Sequence, residues 1–158
     1  MTDRAKPIPD GRAGAIPYLC VDDAAGAIAF YTRAFGAREI VRFTDPGGKI
    51  GHAEIEIGAA CIMLADEYPD HGFKDPKTYG GSPVSIHLFV EDVDTAIAQA
   101  VAAGARVLHP AEDQFYGDRS GKLEDPFGHV WLLSTRKENL SLEEMQKRFA
   151  ALMAEGAT

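Results

Sequence analysis

The sequence predicts an α+β fold built from two tandem β-α-β-β-β modules, with a further helix at the C-terminal end. Three observations carry this reading. First, features of the first half recur about 70 residues later in the same order, and an internal repeat outweighs element-by-element guessing. Val21-Asp22-Asp23 is answered by Val90-Glu91-Asp92, Ala27-Ile28-Ala29 by Ala96-Ile97-Ala98, Gly36-Ala37-Arg38 by Gly104-Ala105-Arg106, and Gly58 by Gly128. Second, each half alternates apolar strand-like runs with one helix-spaced stripe. Third, Gln114 to Ser134 contains Asp125-Pro126-Phe127-Gly128 ahead of an apolar run. Asp-Pro-x-Gly is turn chemistry, because Pro pre-sets φ and Gly accepts a positive φ.

Met1 to Gly14 is a polar tail marked by Pro and Gly, expected to be loosely held. Ala15 to Val21 predicts a strand. Asp23 caps a helix to Phe35 with Ala24, Ala27, Ile28, Tyr31 and Phe35 on one face, and Gly36 ends it. Ala37 to Thr44 predicts a strand, and Asp45-Pro46-Gly47-Gly48 a turn. In Lys49 to Ile57 the residues Ala53, Ile55 and Ile57 alternate with His52, Glu54 and Glu56. Ala60 to Leu64 predicts a short apolar strand. Asp66 to Pro83 lacks periodicity but holds Tyr68, Phe73 and Tyr79, so it reads as a connector or a partial lid. Val84 to Val90 predicts a strand. Asp92 or Asp94 caps the second helix, with Val93, Ala96, Ile97 and Ala100 on its face, and Gly104 ends it. Ala105 to Leu108 predicts a strand, with a connection from Pro110. Tyr116 to Gly121 reads as a loop, and His129 to Ser134 as the last strand. Ser141-Leu142-Glu143-Glu144 is a capping box, with Leu140 placed to staple onto Met145. The stripe Leu142, Met145, Phe149, Leu152 and Met153 then needs a packing partner on this domain or another subunit. The expected organisation is a tail over 1–14, module one over 15–66, a loop over 67–83, module two over 84–135 and a helical extension over 136–158.

The chain has 158 residues, 46% of them apolar and 25% charged, which suits a globular domain with a real core. Its net charge of −8 argues against nucleic-acid or anionic-membrane partners, which need a basic patch. Cys20 and Cys61 are far apart and form no C-x-x-C pair, so free thiols in a reducing compartment are expected. With no apolar N-terminal signal core and no apolar run of membrane-spanning length, the reading is cytoplasmic.

Taken together, the repeat, Phe30-Tyr31 near the end of the first helix, Gly-Ala-Arg after both helices and Asp125-Pro126-Phe127-Gly128-His129 resemble the vicinal oxygen chelate superfamily of glyoxalases, bleomycin-resistance proteins and extradiol dioxygenases. The run Phe115-Tyr116-Gly117-Asp118-Arg119-Ser120-Gly121 with Trp131 resembles its PhnB-like branch. The likeness covers about residues 14 to 135. It implies a curved, cup-like mixed sheet with helices on the convex side, a ligand on the concave side, and a homodimer. In metal-using members four inward strand positions hold a divalent ion; carried over, they fall at Ile16, Ile62, Ser85 and Leu132. Ile and Leu cannot ligate and a lone Ser is a poor ligand, so no metal is expected at the usual positions and no cofactor is implied, although a divalent metal at a relocated site is kept open.

Strand parity sends Ser85, His87 and Phe89 inward, together with His52, Glu54 and Glu56. His52, His87 and Glu54 are therefore candidates for an acid–base group or a relocated metal triad, against the plainer reading of hydrogen-bonded strand residues. His71 and His109 read as solvated, and His129 as a turn or packing residue. Tyr18, Phe89, Tyr116 and Trp131 are candidate ligand-binding aromatics. Arg119 is a candidate anchor for an anionic group, or else a structural partner of Asp118 or Asp125. Three functions remain open at this point: a metal-free small-molecule binder, a metal-dependent lyase, isomerase or dioxygenase, and a metal-free acid–base enzyme or dimeric interaction module.

Overall fold

The computed structural model describes residues 5–156. Its strands are β1 (Tyr18–Val21), β2 (Arg38–Thr44), β3 (Ile50–Ile57), β4 (Ala60–Asp66), β5 (Ser85–Phe89), β6 (Arg106–Asp113), β7 (Asp118–Glu124) and β8 (Val130–Arg136). Its helices are α1 (Ala24–Phe35), α2 (Val93–Ala103) and α3 (Leu142–Glu155). The strands form two four-stranded mixed sheets, ordered β1-β4-β3-β2 and β5-β8-β7-β6. In each, the strand before the helix runs parallel to the last strand of its module, and the other pairs are antiparallel. The two sheets repeat one topology, as the sequence repeat predicts, and they do not close into a barrel.

The helix ends follow from local chemistry. The Asp23 side chain accepts from the Gly26 N–H at 2.9 Å, and Gly36 ends α1 in the left-handed region at φ 67°. Asp92, not Asp94, caps α2 by accepting from the Thr95 N–H at 3.0 Å. Ser141 caps α3 through the Glu144 N–H at 3.2 Å.

Alternation along the strands separates two faces. Leu19, Val21, Ala53, Ile55, Leu64, Leu123, Trp131 and Leu133 are buried against the helices. At the seam between modules the Asp125 carboxylate is buried and surrounded by donors. It accepts from the Tyr31 hydroxyl at 2.6 Å, the Trp131 indole N–H at 2.9 Å and the backbone N–H groups of Phe127 and His129 at 2.9 and 3.0 Å. Burial, reinforced by the charge of Asp125, pushes the Tyr31 phenol well above its ordinary pKa. A phenol on α1 and an indole on β8 thus share one carboxylate, which ties the modules together.

Two boundaries differ from the sequence reading. Tyr116 to Gly121 is not a loop: the turn is confined to Gln114–Gly117, with Gly117 at φ 89°, and β7 starts at Asp118. The cause is pairing, since Asp118 to Glu124 lies in register with Val130 to Arg136 on β8. β6 also runs through Pro110 to Asp113. It is an edge strand with register shifts on either side of His109, a setting that tolerates a proline lacking its N–H.

Residues 67–83 contain two short 3-10 turns, Pro69–His71 and Pro76–Tyr79, while Asp66 belongs to β4. They lie over the concave face of module one, where Phe73 meets Tyr18 edge-on at 5.8 Å between ring centroids. The connector therefore covers part of the cup. Of the tail, residues 1–4 lie outside the described residues, and Arg12 reaches into module one to pair with Glu54. The α3 stripe stays largely open: Leu142, Phe149, Leu152 and Met153 are exposed, and Phe149 touches Phe115 at 5.2 Å between centroids.

Candidate functional site

A cavity of 750 Å³ lies between the two modules, at the starts of β1, β4 and β5. Module one contributes Ile16, Tyr18 and Cys61, and module two Ser85, Ile86 and His87. The wall is mostly apolar, as ligand pockets generally are, with few polar groups among its side chains. Two further hollows, of 420 and 740 Å³, are lined by residues of the connector, and Tyr18 borders all three. His129 also lines the cavity, with Nε2 2.8 Å from the Cys20 carbonyl oxygen of the other module. It bridges the two modules, a role beyond the turn or packing duty expected of it.

Within module one, Tyr18 on β1 and His52 on β3 converge over β4, the strand between them. The Tyr18 hydroxyl lies 2.8 Å from His52 Nδ1, and His52 Nε2 lies 3.3 Å from Glu54 Oε1. The other Glu54 oxygen pairs with Arg12. Burial, then the charges of Cys20 and Glu54, push the Tyr18 phenol above its ordinary pKa, so it stays protonated at neutral pH. Cys61 is also raised, chiefly by burial, and Cys20 is pushed up to about 12 for the same first reason. Both cysteines are free thiols.

Within module two, His87 Nε2 lies 2.8 Å from Ser134 Oγ, which lies 2.7 Å from Ser120 Oγ. The Tyr116 hydroxyl reaches Ser120 at 3.4 Å. His87 stacks on Phe89 at 4.6 Å. The serines are buried and the imidazole is exposed on the cup face.

These positions correct several sequence expectations. His52 and Glu54 meet, but His87 belongs to a separate network on the other sheet. Among the described residues no three His, Cys, Asp or Glu side chains are grouped to hold a metal, so the relocated triad is not assembled. Arg119 does not face the cup. Its guanidinium is taken by Asp94 at 2.8 and 3.1 Å and by Asp113 at 3.3 Å, neither of which was the expected partner. Asp118 pairs instead with Arg136. Trp131 is 1% exposed and packs on Tyr31 and Phe35 in the core, so it is no ligand-binding residue. The reason is parity: it pairs with Ile86 and Leu123, both on the helix side. Tyr116 lines a shallower hollow of 220 Å³ over β6 and β7. Phe89 is 55% exposed on the open part of the cup face.

One of the four inward corners also moves. Counting from Gly58 gives Ile62, but Ile62 pairs with Ile55 on the core face. The β7–β8 turn is one residue longer than the β3–β4 turn, since Glu124 pairs with Val130 where Glu56 pairs with Cys61. A one-residue slip sends a side chain to the opposite face. Met63 pairs with Tyr18 as Leu132 pairs with His87, so Met63 is the true counterpart. The corners are then Ile16, Met63, Ser85 and Leu132. They supply one thioether and one hydroxyl but no imidazole or carboxylate, a donor set that does not fit a hard or borderline divalent ion.

Sequence reasoning missed Arg12, Cys61 and the Ser120–Ser134 pair. The serines share parity with Lys122 and Leu132, so alternation counted from Leu132 was a usable signal for them. For Arg12, in a tail without periodicity, there was none.

The family model of the Glyoxalase/Bleomycin resistance protein/Dioxygenase superfamily matches residues 14–133. An uncharacterized protein of Mycobacterium tuberculosis is 45% identical over 143 residues, covering 89% of this chain and 82% of its own. An Arabidopsis thaliana gene product solved by X-ray crystallography superposes with a TM-score of 0.65 at 29% identity, covering 77% of this chain and 98% of that one. The fosfomycin resistance protein FosX of Listeria monocytogenes, solved with Mn(II) and sulfate, is alike in fold, with a TM-score of 0.62 at 22% identity over 87% of this chain and 98% of that one.

Proposed function

The chain belongs to the Glyoxalase/Bleomycin resistance protein/Dioxygenase superfamily, and from that premise we propose that it is a small-molecule binding protein working without the divalent ion of metal-using members. The observation that carries this reading is the pair of corners in the inter-module cavity. Where such members hold imidazole or carboxylate, this cavity has Ile16 and Ser85. An apolar wall with one phenol and two imidazoles holds a ring-bearing organic molecule by desolvation and orients it by few hydrogen bonds. FosX, the Mn(II)-bound neighbour, shares the fold, and chemistry resides in the site rather than in the fold.

Finer placements follow from the same reading. The Phe115 to Gly121 run with Trp131 supports the PhnB-like branch. Phe43 and Phe89 on the cup faces and Phe149 and Leu152 on α3 are exposed, which supports a homodimer that covers them. The two free thiols support a cytoplasmic setting.

The test uses Cys61, which lines the cavity. A ligand captured from a panel of aromatic small molecules is expected to slow alkylation of Cys61 by roughly tenfold at saturation and to raise the thermal midpoint. Alkylation of Cys61 at an unchanged rate under every ligand that raises the midpoint would place binding elsewhere.

A further inference from the structure

Glu54 uses both of its oxygens, one on His52 Nε2 and one on Arg12. A carboxylate only accepts, so His52 Nε2 must carry the proton. In the neutral imidazole Nδ1 is then the acceptor, and the Tyr18 hydroxyl 2.8 Å away donates to it. The Tyr18 proton is thereby committed to His52, which leaves its oxygen with lone pairs that can accept, on a residue that borders the cavity. Tyr18 as a residue is 47% exposed.

What suits such a group is a hydrogen-bond donor. The surroundings narrow the class further. Arg12 offsets the Glu54 charge, so no uncompensated anion awaits an ammonium group. Ile16 lines the cavity wall, and Phe73, which borders one of the further hollows, meets the Tyr18 ring edge-on. The complement is a neutral, ring-bearing molecule with a weakly acidic O–H.

We propose that Tyr18, His52 and Glu54 form a proton-accepting relay for a phenol or enol bound in the inter-module cavity. This rests on the reading of that cavity as a small-molecule site. Tyr18 touches the ligand; His52 and Glu54 are positioning residues behind it. The ligand O–H bond breaks as its proton passes to Tyr18 Oη. The Tyr18 O–H bond breaks as its own proton passes to His52 Nδ1. The products are a ligand anion, a neutral phenol at Tyr18 and an imidazolium against Glu54; total charge is unchanged and nothing is oxidised. The raised Tyr18 pKa is consistent with this, since it keeps the phenol protonated and donating at rest.

The experiment uses the full chain and 4-nitrophenol, whose phenolate absorbs in the visible, at a pH where the free probe is mostly protonated. Binding to the wild type is expected to raise the phenolate-to-phenol ratio of the bound probe roughly tenfold, about one unit of its apparent pKa. Tyr18→Phe keeps the ring and is expected to bind the probe without ionising it, and His52→Gln likewise. In ligand-free protein, long-range proton–nitrogen NMR is expected to find His52 as the Nε2–H tautomer, and Glu54→Gln to release it into a mixture. A bound probe that stays protonated on the wild type, or that ionises equally on Tyr18→Phe, overturns the relay, as does an Nδ1–H tautomer at His52. Failure of the probe to bind at all counts against the cavity reading, and the tautomer measurement then decides the relay by itself.

Discussion

The two half-cups share a backbone plan and differ in what they present on the cup face. On the helix side their residues stay apolar: Leu19 and Leu88, Val21 and Val90, Leu64 and Leu133, Ile55 and Leu123 hold matching places. On the cup side the matching places diverge. Tyr18 answers His87, His52 answers Ser120, Ala65 answers Ser134 and Glu54 answers Lys122, as read from the pairing within each sheet. Module one has become a phenol–imidazole–carboxylate chain, and module two an imidazole–hydroxyl chain. The core face must satisfy packing, which tolerates only apolar residues of fitting volume. The cup face does not carry the fold, so its chemistry is free to change.

The seam offers the strongest way to break this comparison. Asp125 has four donors aimed at it, and module one has no such residue. Asp125→Ala leaves a phenol, an indole N–H and two backbone N–H groups without their acceptor in a buried setting. A loss of about 3–5 kcal/mol of stability is expected, read as a fall in the urea midpoint. A loss below about 1 kcal/mol would mean the modules do not depend on this carboxylate.

A second pair sharpens the comparison at smaller scale. Asp66 accepts from the Ala24 N–H at the start of α1 and from the Ile50 N–H, both at 2.7 Å. Its counterpart Thr135 accepts from the Val93 N–H at the start of α2 at 2.9 Å. One module thus uses a buried carboxylate with two donors, where the other uses a hydroxyl with one. Asp66→Ala is expected to cost about 2–3 kcal/mol and Thr135→Val about 1 kcal/mol, both by denaturant titration. Equal costs would say that the carboxylate adds nothing over the hydroxyl.

Most of the fold was legible in the residues. The repeat, the caps Asp23 and Ser141 and the alternation in Lys49 to Ile57 each express a local rule with one solution. The site was legible only in part. Parity placed His52, Glu54, Ser85 and His87 on the cup face, because alternation is a property of one strand. Which of these meet depends on neighbouring sheets, and no local rule separates His87 from His52. The Ile62 assignment failed because turn length sets register, and one extra residue between Glu124 and Val130 flips the count. Arg119 was misplaced because its partner Asp94 lies on α2, far from it in sequence and invisible to any motif.

The central claim, that the inward corners Ile16, Met63, Ser85 and Leu132 leave this cup without an ion, is tested most directly by elemental analysis of freshly purified protein, paired with thermal unfolding in Mn²⁺, Ni²⁺, Zn²⁺ and Fe²⁺. The account predicts metal far below one equivalent per chain and no rise in the unfolding midpoint with any of the four. One retained equivalent, lost on chelation together with a drop in the midpoint, would contradict it.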